Sequence, residues 1–194
     1  MKKGSTTQEK FLCYIETPIG DVCVADDGEG ISDLYFVREE KEIDAKAKET
    51  PLLKKASLQL DEYFSGKRHD FDLPLSLHGT DFQMAVWEAL LTIPYSETRS
   101  YKEIAEQIGR PKAYRAVGMA NNRNPVSIIV PCHRVIGSDG SLVGYGGGLP
   151  LKDFLLRNER RLQAIRNMNL HADELMRAEH HGHHKVEDIE KETW

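Results

Sequence analysis

The run Pro131-Cys132-His133-Arg134-Val135 sets a cysteine beside a histidine directly after the apolar stretch Ile128-Ile129-Val130. Cysteine is a useful nucleophile only as the thiolate. A basic neighbour such as His133, with Arg134 close by, is the kind of environment that lowers a thiol pKa. A buried, unreactive cysteine next to a surface histidine is the commoner origin of such a dipeptide, so the chemistry needs support from the surrounding residues.

That support comes from the longer run Asn124-Pro125-Val126-Ser127-Ile128-Ile129-Val130-Pro131-Cys132-His133-Arg134-Val135-Ile136-Gly137, which closely resembles the active-site signature of the O6-alkylguanine-DNA alkyltransferases. Further matches flank it in order: Arg115-Ala116-Val117-Gly118 upstream, then Gly144-Tyr145-Gly146-Gly147-Gly148 and Leu155-Leu156-Arg157-Asn158-Glu159 downstream. The resemblance is strong over residues 80–161 and loose before them. Phe154 stands where many relatives have tryptophan, a change that touches packing more than chemistry.

The resemblance implies a DNA repair protein that flips O6-alkylguanine, with O4-alkylthymine left open as a second lesion, out of double-stranded DNA and transfers the alkyl group irreversibly to Cys132 in a single turnover. It implies Cys132 as nucleophile, His133 as a base acting through a water, and Glu159 as the carboxylate that orients His133. Tyr101 would donate a hydrogen bond to the target base, and Asn124 would brace the active-site turn. Arg115 would fill the space vacated in the stack, with Ala116 beside it against the DNA and Arg134 also assigned to the DNA-binding set. The carbonyls of Cys132 and Val135 would accept from the exocyclic amine of guanine, with Tyr145 and Gly146 on the opposite wall. No metal or organic cofactor is implied.

Two units would position these residues, giving an α+β chain. Residues 1–75 read as a small N-terminal antiparallel sheet with a helix: Phe11-Leu12-Cys13-Tyr14-Ile15, Val22-Cys23-Val24-Ala25 and Ile31-Ser32-Asp33-Leu34-Tyr35-Phe36 are β-rich runs separated by glycine turns. Leu52, Leu53, Ala56, Leu60 and Phe64 then recur at helical spacing up to Ser65-Gly66, and Phe71-Asp72-Leu73 reads as an edge strand. This half shows no cluster of reactive groups and is expected to be scaffold.

Residues 80–165 read as a mainly helical DNA-binding and alkyltransferase unit. Thr80 would cap a helix burying Phe82, Val86, Trp87, Leu90 and Leu91. A short helix from Ser100-Tyr101 to Gly109 and a second over residues 111–121, opened by Pro111, read as a helix-turn-helix. Simple structural packing of the pair is the alternative. The glycine run from Gly144 suits either a pocket wall or a surface loop, and its spacing is not that of a dinucleotide fingerprint.

Among 194 residues the formal net charge is −5, yet it is unevenly spread. Residues 1–97 carry 11 basic and 19 acidic side chains, residues 98–166 carry 12 and 5, and residues 167–194 carry 3 and 7. Positive charge therefore gathers on the cysteine-bearing segment, as phosphate neutralisation would require, although an ordinary solvated surface could share that bias.

No stretch has the length or apolarity of a membrane span or signal core, so a cytoplasmic protein, or a nuclear one in a eukaryote, is expected. Cys13, Cys23 and Cys132 cannot all pair and show no zinc-ligand spacing. One active site and one basic face are compatible with a monomer. The tail, residues 166–194, carries His171, His180, His181, His183 and His184 among acidic residues and reads as a solvated, partly helical extension rather than a metal site.

Two other functions compete. One is a lesion sensor without chemistry, which the thiol at Cys132 argues against. The other is a cysteine hydrolase, which leaves the helix-turn-helix unexplained and places its base adjacent to the nucleophile rather than distant in sequence.

Overall fold

The computed structural model describes residues 9–37 and 44–187, with side chains through residue 178. β1 (Phe11–Ile15), β2 (Val22–Asp26) and β3 (Ile31–Phe36) form an antiparallel meander, with Phe11 opposite Asp26 and Val22 opposite Phe36. The turns are set by side chains. Gly20, at φ 102°, closes the first with its amide on the Thr17 carbonyl, and Asp26 and Asp27 accept the amides of Gly28, Glu29 and Gly30 in the second. β4 (Lys46–Ala47) adds a short parallel edge beside β1, giving the order β3-β2-β1-β4. The sheet is thus mixed. Its parallel edge lies in a charged stretch whose side chains gave no alternating signal.

α1 (Pro51–Phe64) starts with Thr50 capping the Leu53 amide and Pro51 in the first turn. It buries Leu53, Ala56, Gln59, Leu60, Tyr63 and Phe64. The edge strand expected at 71–73 does not form. Gln59 takes both backbone groups of Asp72, its Oε1 accepting the amide at 2.8 Å and its Nε2 donating to the carbonyl at 3.1 Å. Sheet contact is deferred to Leu75, which bridges Ile31.

α2 (Asp81–Leu91) opens with a reciprocal Thr80–Gln83 capping box and buries Val86, Trp87, Ala89 and Leu90. Leu91, expected inside, is exposed. The Trp87 indole donates to the Ala120 carbonyl at 2.9 Å, fixing α2 against the later helix pair. After the two-residue β5 (Arg99–Ser100), α3 (Tyr101–Gln107) is boxed by Ser100 and Glu103, and Gly109 at φ 70° turns the chain. α4 (Tyr114–Asn122) begins three residues later than Pro111 suggests, because Ala113 closes a turn onto the Arg110 carbonyl first.

The N-terminal sheet and the helices share one hydrophobic core that includes Val22, Leu34, Phe64, Trp87, Ile104, Val117 and Leu155. β3 also grips the chain just before the cysteine: Leu34 donates to the Pro125 carbonyl and accepts from the Ser127 amide. Ile128 follows at φ 71°, a conformation that costs a β-branched residue on the order of 1–3 kcal/mol. The 3-10 turn Cys132–Arg134 and β6 (Val135–Ile136) come next, β6 running parallel to β5.

α5 (Leu149–Glu187) is the last element. The described residues up to Glu159 pack as one unit, and those from Arg160 onward form a second. In the second, the described side chains from 164 to 178, His171 included, are exposed. The side chains of His180, His181, His183 and His184 lie outside the described residues.

Candidate active site

Cys132 sits at the head of the 3-10 turn, only 3% exposed. Asn124 holds it: Nδ2 lies 3.0 Å from Sγ and 2.8 Å from the Val130 carbonyl, while Oδ1 accepts the Val126 amide at 3.0 Å. Asn121 donates to the Cys132 carbonyl at 3.3 Å. Burial pushes the thiol up, and the Asn124 hydrogen bond and the Lys152 charge oppose it. The positive charge acting on the sulfur therefore comes from Lys152, not from His133 and Arg134 as their adjacency in sequence suggested.

Both of those side chains are engaged with Glu159. Completely buried His133 lies 2.7 Å, through Nε2, from Oε1 of Glu159, which is completely buried as well. Since a carboxylate only accepts, Nε2 carries the proton and Nδ1 is the bare, basic nitrogen. Nδ1 has no hydrogen-bond partner among the described residues. Burial lowers the pKa of His133 against the opposing pull of Glu159, so the ring is neutral at neutral pH. For Glu159 the order is reversed: burial would raise it, but His133 and Arg134 together hold the carboxyl well below the usual range.

Arg134 does not face outward. Its Nε and Nη2 lie 3.0 Å from Oε2 and Oε1 of Glu159, and Nη1 donates to the Ile93 carbonyl at 2.7 Å. With its guanidinium 5.6 Å from the Tyr95 ring centroid, it is a buried counter-ion with no free face for a phosphate. The exposed cations are instead Arg110, Lys112, Arg115 and Arg123, around α4.

Lys152 is buried and donates to the carbonyls of Val143 at 2.8 Å and Gly144 at 3.3 Å, with Tyr101 Oη at 3.4 Å. Burial lowers its pKa to about 8 while Cys132 pulls it back up. The Tyr101 hydroxyl is shared between the same two carbonyls at 2.8 and 3.0 Å, and burial raises it to about 12. Tyr101 and Lys152 thus clamp the start of the glycine loop. Gly144 adopts φ 53°, which favours glycine, and a Cβ there would sit 3.3 Å from Tyr101 Oη, so the hydroxyl would have to shift by a few tenths of an ångström.

The remaining sequence-assigned residues are spread around this centre. Tyr145 is buried and Gly146 exposed in the loop, and Val135 is buried in β6. Arg115 and Ala116 are exposed on α4, with the Arg115 guanidinium 5.9 Å from the Tyr114 ring centroid. Three side chains escaped the sequence reading. Lys152 had a signal, a charge in register with Leu155, Leu156 and Glu159 on one helix face. Asn121 and Tyr63 had none, although Tyr63 donates its hydroxyl to Oε1 of Glu159 at 2.6 Å. Among the described residues no group of three acidic, histidine or cysteine side chains could hold a metal, and no helix is long and apolar enough to cross a membrane.

Residues 11–77 match the family model of the 6-O-methylguanine DNA methyltransferase ribonuclease-like domain, and residues 81–161 that of its DNA binding domain. The chain is 55% identical to the methylated-DNA--protein-cysteine methyltransferase of Methanosarcina barkeri over 152 residues, 77% of this chain and 96% of that protein. It is 50% identical to the constitutive enzyme of Bacillus subtilis over 157 residues, 77% and 95% of the two chains. Among solved structures, the Mycobacterium tuberculosis O6-methylguanine methyltransferase superposes with a TM-score of 0.74 at 48% identity, over 78% of this chain and 93% of that one. The same organism's protein in complex with DNA gives 0.73 at 48% identity, over 79% and 94%. A cysteine turn backed by a buried His–Glu–Arg cluster, two consecutive family models and half-identical relatives matched over nearly their whole length agree: the chain belongs to the 6-O-methylguanine DNA methyltransferase family.

Proposed function

We propose that this protein repairs double-stranded DNA by flipping O6-alkylguanine out of the helix and transferring the alkyl group to its own Cys132, once per molecule. The observation that carries this reading is the neutral His133, one residue along the chain from Cys132, whose protonated Nε2 is fixed on Glu159 and whose basic Nδ1 has no protein partner among the described residues. Such a ring can take the thiol proton through a water, and Glu159 then stabilises the imidazolium that forms.

The thiolate attacks the alkyl carbon, a C–S bond forms, the C–O6 bond breaks, and the electron pair leaves on guanine. The guanine takes up a proton, so the thiol hydrogen is in effect exchanged for the alkyl group. Tyr101 and Lys152 stand beside the site as hydrogen-bond donors for the developing negative charge. In the free protein Tyr101 is occupied by loop carbonyls, so donation to a base requires its hydroxyl to re-aim. A thioether has no hydrolytic exit here, and each molecule acts once.

Residues 80–165 would carry both DNA binding and transfer, residues 1–75 would support them, and 166–194 would be an appended tail. Arg115 would enter the stack from α4 with Ala116 alongside, and Arg110, Lys112 and Arg123 would meet phosphates. The carbonyls of Cys132 and Val135 would receive the exocyclic amine, opposite Tyr145 and Gly146. A monomer suffices for this chemistry, and it suits a reducing compartment that keeps Cys132 a free thiol.

The test is the intact mass before and after incubation with a duplex containing one O6-methylguanine, followed by peptide mapping. The expected result is gain of one methyl at Cys132, in a stoichiometric burst, absent from Cys132→Ser. Tight binding without a mass change would replace this reading with lesion sensing, and no binding would reject it.

A further inference from the structure

α1 belongs to the half of the chain that carries no reactive cluster in its sequence, yet it delivers a hydroxyl to the centre of the site. Tyr63 is completely buried. Its Oη lies 2.6 Å from Oε1 of Glu159 and 3.5 Å from Nε2 of His133. We propose that Tyr63 is a positioning residue of alkyl transfer, holding the Glu159 carboxylate so that His133 stays locked in the tautomer with a bare Nδ1. This rests on the reading that His133 takes the Cys132 proton.

A carboxylate at the end of a flexible side chain orients an imidazole only if it is itself fixed. Oε1 of Glu159 receives Tyr63 Oη, His133 Nε2 and Arg134 Nη2, and Oε2 receives Arg134 Nε and the Ser96 amide. Of these, Tyr63 alone comes from residues 1–75. Its ring is set edge-on to Phe64 and Tyr95, with centroids 5.2 and 6.0 Å away, and tilted against Phe71 at 5.5 Å. At 2.6 Å the contact has the length of a charge-assisted O–H···O⁻ bond. Burial, reinforced by the charge of Glu159, raises the phenol well above its ordinary range, so Tyr63 remains a donor throughout the working pH range.

The hydroxyl has an electrostatic effect as well. By drawing charge from Oε1, it limits how strongly Glu159 retains a proton on His133. The other groups facing this pair are Arg134 and Lys152, which lower the pKa of His133, and Tyr95, whose ring lies 6.0 Å from that of Tyr63 and 5.6 Å from the Arg134 guanidinium and carries His69 stacked on it at 4.1 Å. Without the Tyr63 hydroxyl the full charge of Oε1 falls on Nε2, the imidazolium gains, and less neutral base is present at a given pH.

Tyr63→Phe keeps the ring packing and removes only the hydroxyl. The measurements are the single-turnover rate of methyl transfer from an O6-methylguanine duplex against pH and, on the same samples, the rate of Cys132 carboxamidomethylation by iodoacetamide against pH, located by peptide mapping. The expected result is a transfer rate about 10-fold lower at neutral pH, with the acid limb of both profiles moved to higher pH. In a Glu159→Gln background the same substitution should cause no further loss, because Tyr63 acts through Glu159.

Profiles that overlay the wild type would overturn the proposal. Failure of the wild type to transfer methyl would reject the functional reading, while the iodoacetamide profile would still decide the role of Tyr63. Nitrogen chemical shifts of His133 in the unsubstituted protein give a check independent of any variant: a protonated Nε2 with a bare Nδ1 supports the proposal, and the opposite tautomer overturns it.

Discussion

The side-chain nitrogen of Asn124 bonds both to the sulfur of Cys132, at 3.0 Å, and to the Val130 carbonyl, at 2.8 Å. One amide thus joins the nucleophile to the strained backbone that delivers it, since Val130 follows Ile128 with its positive φ. An N–H aimed at sulfur stabilises the thiolate more than the thiol, so Asn124 opposes the upward push that burial exerts on Cys132.

Replacing Asn124 with alanine is expected to raise the pH midpoint of Cys132 alkylation by iodoacetamide and to slow alkyl transfer at neutral pH by about 10-fold or more. It also strands the Val126 amide, while the Val130 carbonyl keeps the Cys132 amide, costing about 1–3 kcal/mol in urea denaturation. An unmoved midpoint would leave Asn124 with a backbone role alone.

Lys152 gives stability a pH dependence of unusual sign. Its pKa falls from 10.5 to about 8 on folding, so between these values the unfolded chain binds more protons and stability rises with pH. Above pH 9 the thiols of Cys13, Cys23 and Cys132, all raised by burial, work in the opposite direction. The clean window is pH 8 to 9. Urea unfolding of the wild type should show a positive slope there, and Lys152→Met should flatten it while raising the Cys132 thiol midpoint. A slope identical in both proteins would remove Lys152 as its source.

Glu159 and His133 act together at acid pH. The pKa of Glu159 is depressed in the fold, so its stabilisation is present above the unfolded value of 4.5 and lost as pH falls. His133 is depressed as well, so below about 6.5 the unfolded ring takes a proton that the folded one refuses. Both favour unfolding on acidification, and stability should decline from pH 6.5 downward, most steeply below 4.5. Glu159→Gln leaves the Arg134 guanidinium buried without its charge partner and should cost about 3–5 kcal/mol at neutral pH. It should also show a shallower acid decline when urea unfolding is compared at neutral and acid pH.

The residues that show where the sequence was readable are those whose partners are near in the chain. Thr80 with Gln83 and Ser100 with Glu103 announce two helix starts, because a capping box closes over three residues. Pro111 misled by three residues, since the Arg110–Ala113 turn satisfies the backbone first and nothing in the composition separates a turn proline from a helix proline. The candidate site was proposed from the sequence where chemistry and neighbours coincide, at Cys132, His133 and Asn124, and of these the structure brings Asn124 onto the Cys132 sulfur. Arg134 was not: an arginine in a basic segment reads as surface, and only Glu159, distant in sequence, makes it a buried counter-ion. Tyr63 lies further still from Glu159 and sits on a helix face where a tyrosine passes for core. Lys152, aligned with a leucine stripe, was the one missed residue that a stricter search for charges on apolar faces would have found.

Arg115 separates DNA handling from thiol chemistry. It is exposed on α4 with its guanidinium beside the Tyr114 ring, so replacing it with alanine removes no buried partner and should change stability by no more than about 0.5 kcal/mol. If its task is to hold an extruded nucleotide out of the stack, Arg115→Ala should slow methyl transfer from duplex DNA by about 10-fold or more. Iodoacetamide alkylation of Cys132, which needs no flipping, should proceed at the wild-type rate. Binding to undamaged duplex should keep most of its salt dependence, the slope falling by about one unit at most, because the other exposed cations around α4 remain. Equal slowing of duplex transfer and iodoacetamide alkylation would place Arg115 in the support of Cys132 rather than in the handling of DNA.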